Sequence, residues 1–423
     1  YNMKKYLSCL YLIIFITTTM TVVGCDFFDQ SSSKRTYSSS NTSLCSNISC
    51  TDGETCVVLN DVAQCASSVA TGCDPACVSP QTCFLSSGTY GCITPSTTCN
   101  QSPDVYVSGY RHDATLNRDL ASYWKNNMAG VNDFNSADPN SSYANSISFD
   151  GTNLYIGTMS YGGPQAISSA YWINGSKTVL APIGSNSDAP SIFVKGSDIY
   201  SAGSYQPTST TYQPAYWLNG SKTDLSLGGV AHSYAAAVRV SASGSDVYVT
   251  GDYTNSGNYG VAVYWKNGVM TTLSAPSGAS DTSGIGLAVS GGISYIAGYY
   301  YLNSIKNACY WKNGSITTLS PTNSSAKSIF ISGTDVYVSG SYTSNGKEIA
   351  CYWRNGVKTD LPVPSTAQSS YTTSIFVHCS GVYISGVYKN SSGKNVAVFW
   401  KDSTRNELTD GTQHSNASDI SVY

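Results

Sequence analysis

Charge is scarce in this sequence. Asp, Glu, Lys and Arg together make up 11% of its 423 residues, and the net charge at pH 7 is −3. A surface so sparsely and slightly negatively charged offers no basic stripe, which argues against nucleic acid as a partner. Solubility must come instead from the hydroxyls and amides of Ser, Thr, Asn and Tyr, as suits an exported protein. Histidine is scarcer still, with only His112, His232, His378 and His414. They form no HExxH or other metal-ligand spacing, no GxSxG is present, and no glycine-rich loop follows a strand pattern to cradle a phosphate. The expectation is a non-enzymatic protein with no catalytic residues, no metal and no cofactor.

What is present begins with an address. Lys4 and Lys5 form a positive region, Leu7 to Val23 is an apolar stretch, and the stretch ends Val22-Val23-Gly24-Cys25. An apolar leader of this kind is set aside before the fold is considered. The ending resembles a bacterial lipobox, in which a small residue precedes a cysteine that becomes the lipid-bearing N-terminus. That resemblance implies cleavage before Cys25, acyl chains on its thiol and amine, and a membrane partner through the anchor, each buried CH₂ contributing ~0.8 kcal/mol. It also implies a place in a bacterial cell envelope, at the outer membrane or cell surface rather than the inner membrane, although Asp26 is a residue that favours inner-membrane retention in enterobacteria. Residues 26–44 are polar and aperiodic, a flexible Ser-rich linker.

Fourteen cysteines sharpen the compartment, nine of them between 45 and 99. Cys45-Cys50-Cys56-Cys65 and Cys73-Cys77-Cys83-Cys92 repeat nearly the same spacing. Two short units poor in aliphatic residues cannot bury enough apolar surface alone, so residues 45–99 are expected to form a small disulfide-rich module with these eight cysteines as staples. A zinc site would compete, but no His lies between 45 and 99. CTDGETC (50–56) and CVSPQTC (77–83) loosely resemble EGF-like or follistatin-type modules. Spacing leaves the pairing open, with Cys99 over, either joined to a cysteine further along or free.

From residue 100 onward the seven tryptophans carry the pattern. Trp124, Trp172, Trp217, Trp265, Trp311, Trp353 and Trp400 are 42 to 48 residues apart, each preceded by Tyr or, at the last, Phe399. A period of that size signals a propeller or solenoid. Upstream of each Trp comes a β-branched and aromatic run such as DVYVSG (104–109, 335–340), and before that SIFV (191–194, 374–377) or a near copy; no helical period competes. YWKNG (264–268, 310–314) runs into Asn-Gly, the strongest hairpin signal, and then into a short strand such as KTDL (222–225, 358–361). Four strands, A to D, per ~45 residues describe a propeller blade. The first copy lacks strand A, whereas the C-terminus reads ASDISVY (417–423) with nothing after it. The fold class expected is all-β: a seven-bladed propeller over 100–423, its C-terminal strand closing the first blade, preceded by the cysteine module.

The YW-x-N-G-x-x-T-x-L run resembles the extracellular repeats of the HAF family, a likeness of about ten residues per copy that implies an extracellular location and no established chemistry. The Trp-Tyr pairs are expected to be core, and Cys309 and Cys351, in the small-residue slot of the third strand, to be packed thiols. Asp104, Asp198, Asp246 and Asp335 recur at the A–B turn, as turn caps do. Function should sit on the opposite face, where the D–A and B–C loops vary between copies. The candidate binding surface is Tyr143, His232, Tyr234, Tyr371 and His414 from D–A loops, with Arg111, His112, Tyr161, Tyr212 and Tyr259 from B–C loops. Tyrosines among Asn, Ser and Gly suit an unknown glycan or protein ligand. The competing expectation is a polysaccharide-degrading enzyme, which would need two acids converging across the channel.

Overall fold

The computed structural model describes residues 103–423 except 128–130, 135–139, 162–166, 181–185, 209–210, 228–232, 242, 321 and 380, and before them only the backbone of short strands between 21 and 93. The chain divides into two units, Tyr1–Ser102 and Pro103–Tyr423. In the first, Cys56–Leu59 pairs antiparallel with Val62–Cys65, and Thr82–Ser86 with Thr89–Ile93; Cys56 is the register partner of Cys65, and Cys83 of Cys92. Cys25, the expected lipid site, and the cysteines at 45, 50, 73 and 99 lie outside the described residues, as do the side chains of Cys56, Cys65, Cys77, Cys83 and Cys92.

The second unit is an all-β propeller of seven four-stranded blades. Strand A is Ser142–Phe149 in blade 2, then Ser187–Lys195, Ser233–Val240, Ala279–Ser290, Ser324–Ser332 and Ser369–His378 in blades 3 to 7. Strand B is Val105–Asp113, Leu154–Tyr161, Asp198–Thr208, Val247–Thr254, Ile293–Leu302, Asp335–Ser344 and Gly381–Lys389 in blades 1 to 7. Blade 1 takes its strand A from the C-terminus: Ser415–Val422 pairs with Val105–Asp113, and Asp104 and Tyr423 exchange two backbone hydrogen bonds of 3.0 Å. The ring closes as its repeats imply, leaving no strand A edge unpaired.

Each part of YWKNG has a structural task. Asn267 and Gly268 have φ of +51° and +81°, the positive pair that a type I′ turn requires. The Asn267 side chain accepts from the Val247 N–H at 2.8 Å and donates to Asp246 at 2.8 Å, while Lys266 reaches Asp246 at 2.9 Å and lies over the Tyr248 ring. The same lattice recurs at Asp104-Lys125-Asn126 and Asp335-Arg354-Asn355. The recurrent Asp therefore serves the neighbouring hairpin, holding its Asn and its cation.

The tryptophans are buried in six blades, at 0 or 1% exposure, and the exception explains the rule. A Cβ at Gly340 would stand 2.1 Å from the Ser325 carbonyl oxygen and 2.9 Å from the Trp353 ring, so this strand B position must be glycine for the indole to lie over it. Gly109, Gly298 and Gly386 meet Trp124, Trp311 and Trp400 in the same way. Blade 2 has Thr158 there instead. Its Trp172 keeps the same register but is only half-buried, donating to Thr158 Oγ1 at 2.9 Å, while Tyr171 is buried against blade 3.

Blades are stitched by hydrogen bonds as well as by aromatics. The N–H three residues before Trp donates to a buried hydroxyl that opens the next strand A: Ala121 to Ser142 at 3.0 Å, Ala262 to Thr282 at 2.7 Å, Ala308 to Ser324 at 2.8 Å, Ala350 to Ser370 at 3.0 Å and Ala397 to Ser415 at 2.9 Å. Pro214 occupies that position in blade 3 and has no N–H, so Ser233 turns to the Asp252 carbonyl instead. Cys309 and Cys351 are free and fully buried, and burial pushes both thiols up. Cys379, on the short-turn side, is disulfide-bonded.

Candidate functional site

Strand A holds a bulge in every blade, between residues such as Ala144 and Ser146 or Ala235 and Ala237. Just on the loop side of each bulge one strand A residue faces one strand B residue, giving seven pairs around one end of the channel: Asn416 with Tyr110, Tyr143 with Met159, Asp188 with Ser204, Tyr234 with Asp252, Ser283 with Tyr299, Ser325 with Ser341, and Tyr371 with Val387. This ring is the channel mouth on the variable-loop face.

Blades 7, 1 and 2 make its aromatic side. Asn416 donates to the Tyr371 hydroxyl at 3.0 Å; Tyr110 meets Tyr143 edge-on at 4.8 Å, and Tyr143 meets Tyr161 edge-on at 5.6 Å. The Tyr143 hydroxyl donates to Asp119 at 3.0 Å, and the other Asp119 oxygen lies 3.0 Å from His112 Nδ1. Burial, with the negative charge of Asp119 beside it, pushes the Tyr143 phenol up; burial pushes Tyr371 up to about 12.

Blades 3 to 5 make its acidic side. Asp188 accepts from the Ser204 N–H at 2.8 Å, Asp252 accepts from Ser283 Oγ at 2.6 Å, and neither makes an ion pair among the described residues. Desolvation raises both carboxyls above the ordinary carboxylate value. Tyr234 lies between them, raised first by burial and then by Tyr212, Asp252 and Asp188, with the Tyr212 ring 5.0 Å away. Tyr299 follows, with Lys306 Nζ 3.7 Å from its ring centre. Burial and the nearby Lys327 pull the Lys306 ammonium down, against Glu348 and Asp281. The result is a polar rim of partly buried carboxylates and tyrosine faces.

The sequence places some of this and misses the rest. Tyr143, Tyr234 and Tyr371 enter the ring, but from the first residues of strand A rather than from D–A loops, and Tyr212 stands on a strand, Thr211–Leu218. Tyr161 ends strand B of blade 2 at the rim, 42% exposed, and Tyr259 is exposed on the blade 4 turn away from the ring. His232 lies outside the described residues. His414 accepts the Asn395 N–H at 3.2 Å. Arg111 is tied to Asp133 at 2.9 Å, the position at which Tyr205, Tyr342 and Tyr388 hold acids of their own fourth strands. It is thus part of the frame. Tyr110, Asp119, Asp188, Asp252, Tyr299 and Glu348 went unread. A signal existed for Tyr110, Asp252 and Tyr299, each directly after the glycine that ends the strand B motif.

Among the described residues no group of three or more His, Cys, Asp or Glu could hold a metal ion. No family model matches the chain, and no curated protein matches it. Solved propellers are similar to it. A lectin from Burkholderia pseudomallei is 12% identical, with 73% of this chain and 95% of that one covered and a TM-score of 0.38. The six-bladed fucose-recognising lectin of Aleuria aurantia is 13% identical over 63% of this chain and 95% of that one, with a TM-score of 0.36. A Trypanosoma rangeli sialidase in complex with sialic acid is 11% identical over 63% of this chain and 54% of its own, with a TM-score of 0.40.

Proposed function

We propose that this propeller binds a glycan at the loop-face mouth of its channel. The observation that carries this reading is the convergence, in one ring, of tyrosine faces with partly buried carboxylates that make no ion pair among the described residues, Asp188 and Asp252 flanking Tyr234. Sugar rings present C–H faces that stack on aromatics and hydroxyls that donate to carboxylates. Charge-assisted bonds of that kind contribute roughly 1.5–3 kcal/mol each. The acidic rim favours an uncharged, hydroxyl-rich sugar over an acidic one.

A second reading, glycan hydrolysis, is favoured by one feature: a carboxyl raised by desolvation is what a general acid requires. A glycan array with the oxidised full chain, followed by a reducing-sugar assay on each hit, separates the two. Retention of a neutral glycan without turnover supports binding; release of oligosaccharide establishes the second reading, and an array with no neutral hit overturns the first. Envelope anchoring through Cys25 belongs to the same proposal, supported by the leader alone. Incorporation of radiolabelled fatty acid that disappears in Cys25→Ser tests it.

A further inference from the structure

Behind the mouth, the seven A strands enclose a channel cavity of ≈ 270 Å³. Two charged side chains line it, Arg239 from blade 4 and Asp419 from the closing strand of blade 1. They are not equivalent. The Asp419 carboxylate is spent on the seam between blades 1 and 2: one oxygen accepts from Ser146 Oγ at 2.8 Å and from the Ile147 N–H at 3.1 Å, the other from the Ile420 N–H at 2.9 Å. Arg239 makes one hydrogen bond among the described residues, from NH1 to the Val238 carbonyl at 2.7 Å, and its guanidinium lies 5.5 Å from the centre of the Phe193 ring. A guanidinium carries five N–H donors, so most of its capacity remains open. Burial pulls its pKa down, Asp419 opposes, and a guanidinium stays charged at neutral pH.

The wall around this cation is mixed, with aliphatic and aromatic side chains interrupted by Ser148, Ser374 and Ser421. Each strand A sends the second residue after its bulge anchor to the same level, and Phe193, Phe330 and Phe376 occupy it, the last two with ring centres 4.9 Å apart. Ser148, Ala288 and Ser421 are the small residues at that level, and they leave space between the rings. A dry cavity of ~150 Å³ admits benzene, so a larger one has room for a ring or short chain bearing a carboxylate.

We propose that the channel binds a small organic monoanion, a carboxylate on a single-ring or short aliphatic body, with the charge on Arg239 and the body against Phe193, Phe330 and Phe376. The ligand is separate from the glycan at the mouth, so either reading can fail alone. Calorimetric titration of the full chain with benzoate, and with benzyl alcohol as its uncharged counterpart, tests it. The expected result is saturable benzoate binding at least about tenfold tighter than that of benzyl alcohol. Arg239→Met should erase the preference and Arg239→Lys retain part of it. If Arg239→Met does not fold, Ala288→Phe, which fills the same level from blade 5 and keeps Arg239, should abolish benzoate binding. Absence of saturable benzoate binding, equal affinity for acid and alcohol, or unchanged benzoate affinity in Arg239→Met or in a folded Ala288→Phe overturns the proposal.

Discussion

Gly340 and Thr158 occupy equivalent positions in two blades, and the difference between them fixes what each tryptophan can do. Gly340→Ala would press a methyl group onto the Ser325 carbonyl and the Trp353 indole. A loss of ~1–3 kcal/mol, as overpacking costs, is expected in chemical denaturation. In blade 2, Thr158→Gly should free the strand surface and let Trp172 become as buried as its six counterparts. A blue shift in tryptophan emission, absent when Gly340 is changed, is the readout. At Asp252 the consequence is one of pH. Desolvation raises its pKa, so the folded state favours the neutral acid. Stability tied to this group is fully present below the unfolded value near 3.8 and is lost as pH rises through the raised folded value. Asp252→Asn should therefore melt above wild type at neutral pH, and the gap should close below about pH 4. A gap that stays constant with pH would contradict the assignment of a buried charge.

The strand was the most legible level of this sequence. Asn-Gly fixed the third hairpin of five blades because positive φ at two successive residues leaves few alternatives, and the unmatched Asp419-Ile420-Ser421-Val422 run required a partner that only blade 1 lacked. The bulge in strand A was not legible. It adds one residue without changing the apolar pattern, and it shifts Tyr143, Tyr234 and Tyr371 onto strands beside the channel mouth rather than into loops. The acids were hidden for a related reason. Asp252 faces Tyr234 across one hairpin of blade 4, whereas Asp188 comes from the preceding blade, so its closeness to Tyr234 depends on how neighbouring blades pack and leaves no trace in spacing. The hydroxyl latches were visible in principle, since Ser142, Ser324, Ser370 and Ser415 hold one repeat position.

At the scale of the molecule, the C-terminal strand turns seven separable blades into one ring. Deleting 417–423 removes Ile420 and Val422 from the blade 1 core, along with the Asp419 bonds to blade 2. The truncated protein should unfold in two steps or at a clearly lower temperature; a melting point within a degree or two of the full chain would refute non-covalent closure as the source of stability. Ring closure also assembles the mouth, because Tyr110, Tyr143, Tyr234, Tyr299 and Tyr371 come from five blades. The central claim is that this mouth, rather than the outer loop tips, holds the ligand. Calorimetric titration of a neutral glycan hit against wild type, Tyr234→Ala and Tyr259→Ala tests it most directly. The expected result is at least about a tenfold loss of affinity in Tyr234→Ala with Tyr259→Ala unchanged; loss in Tyr259→Ala with Tyr234→Ala unaffected would contradict it.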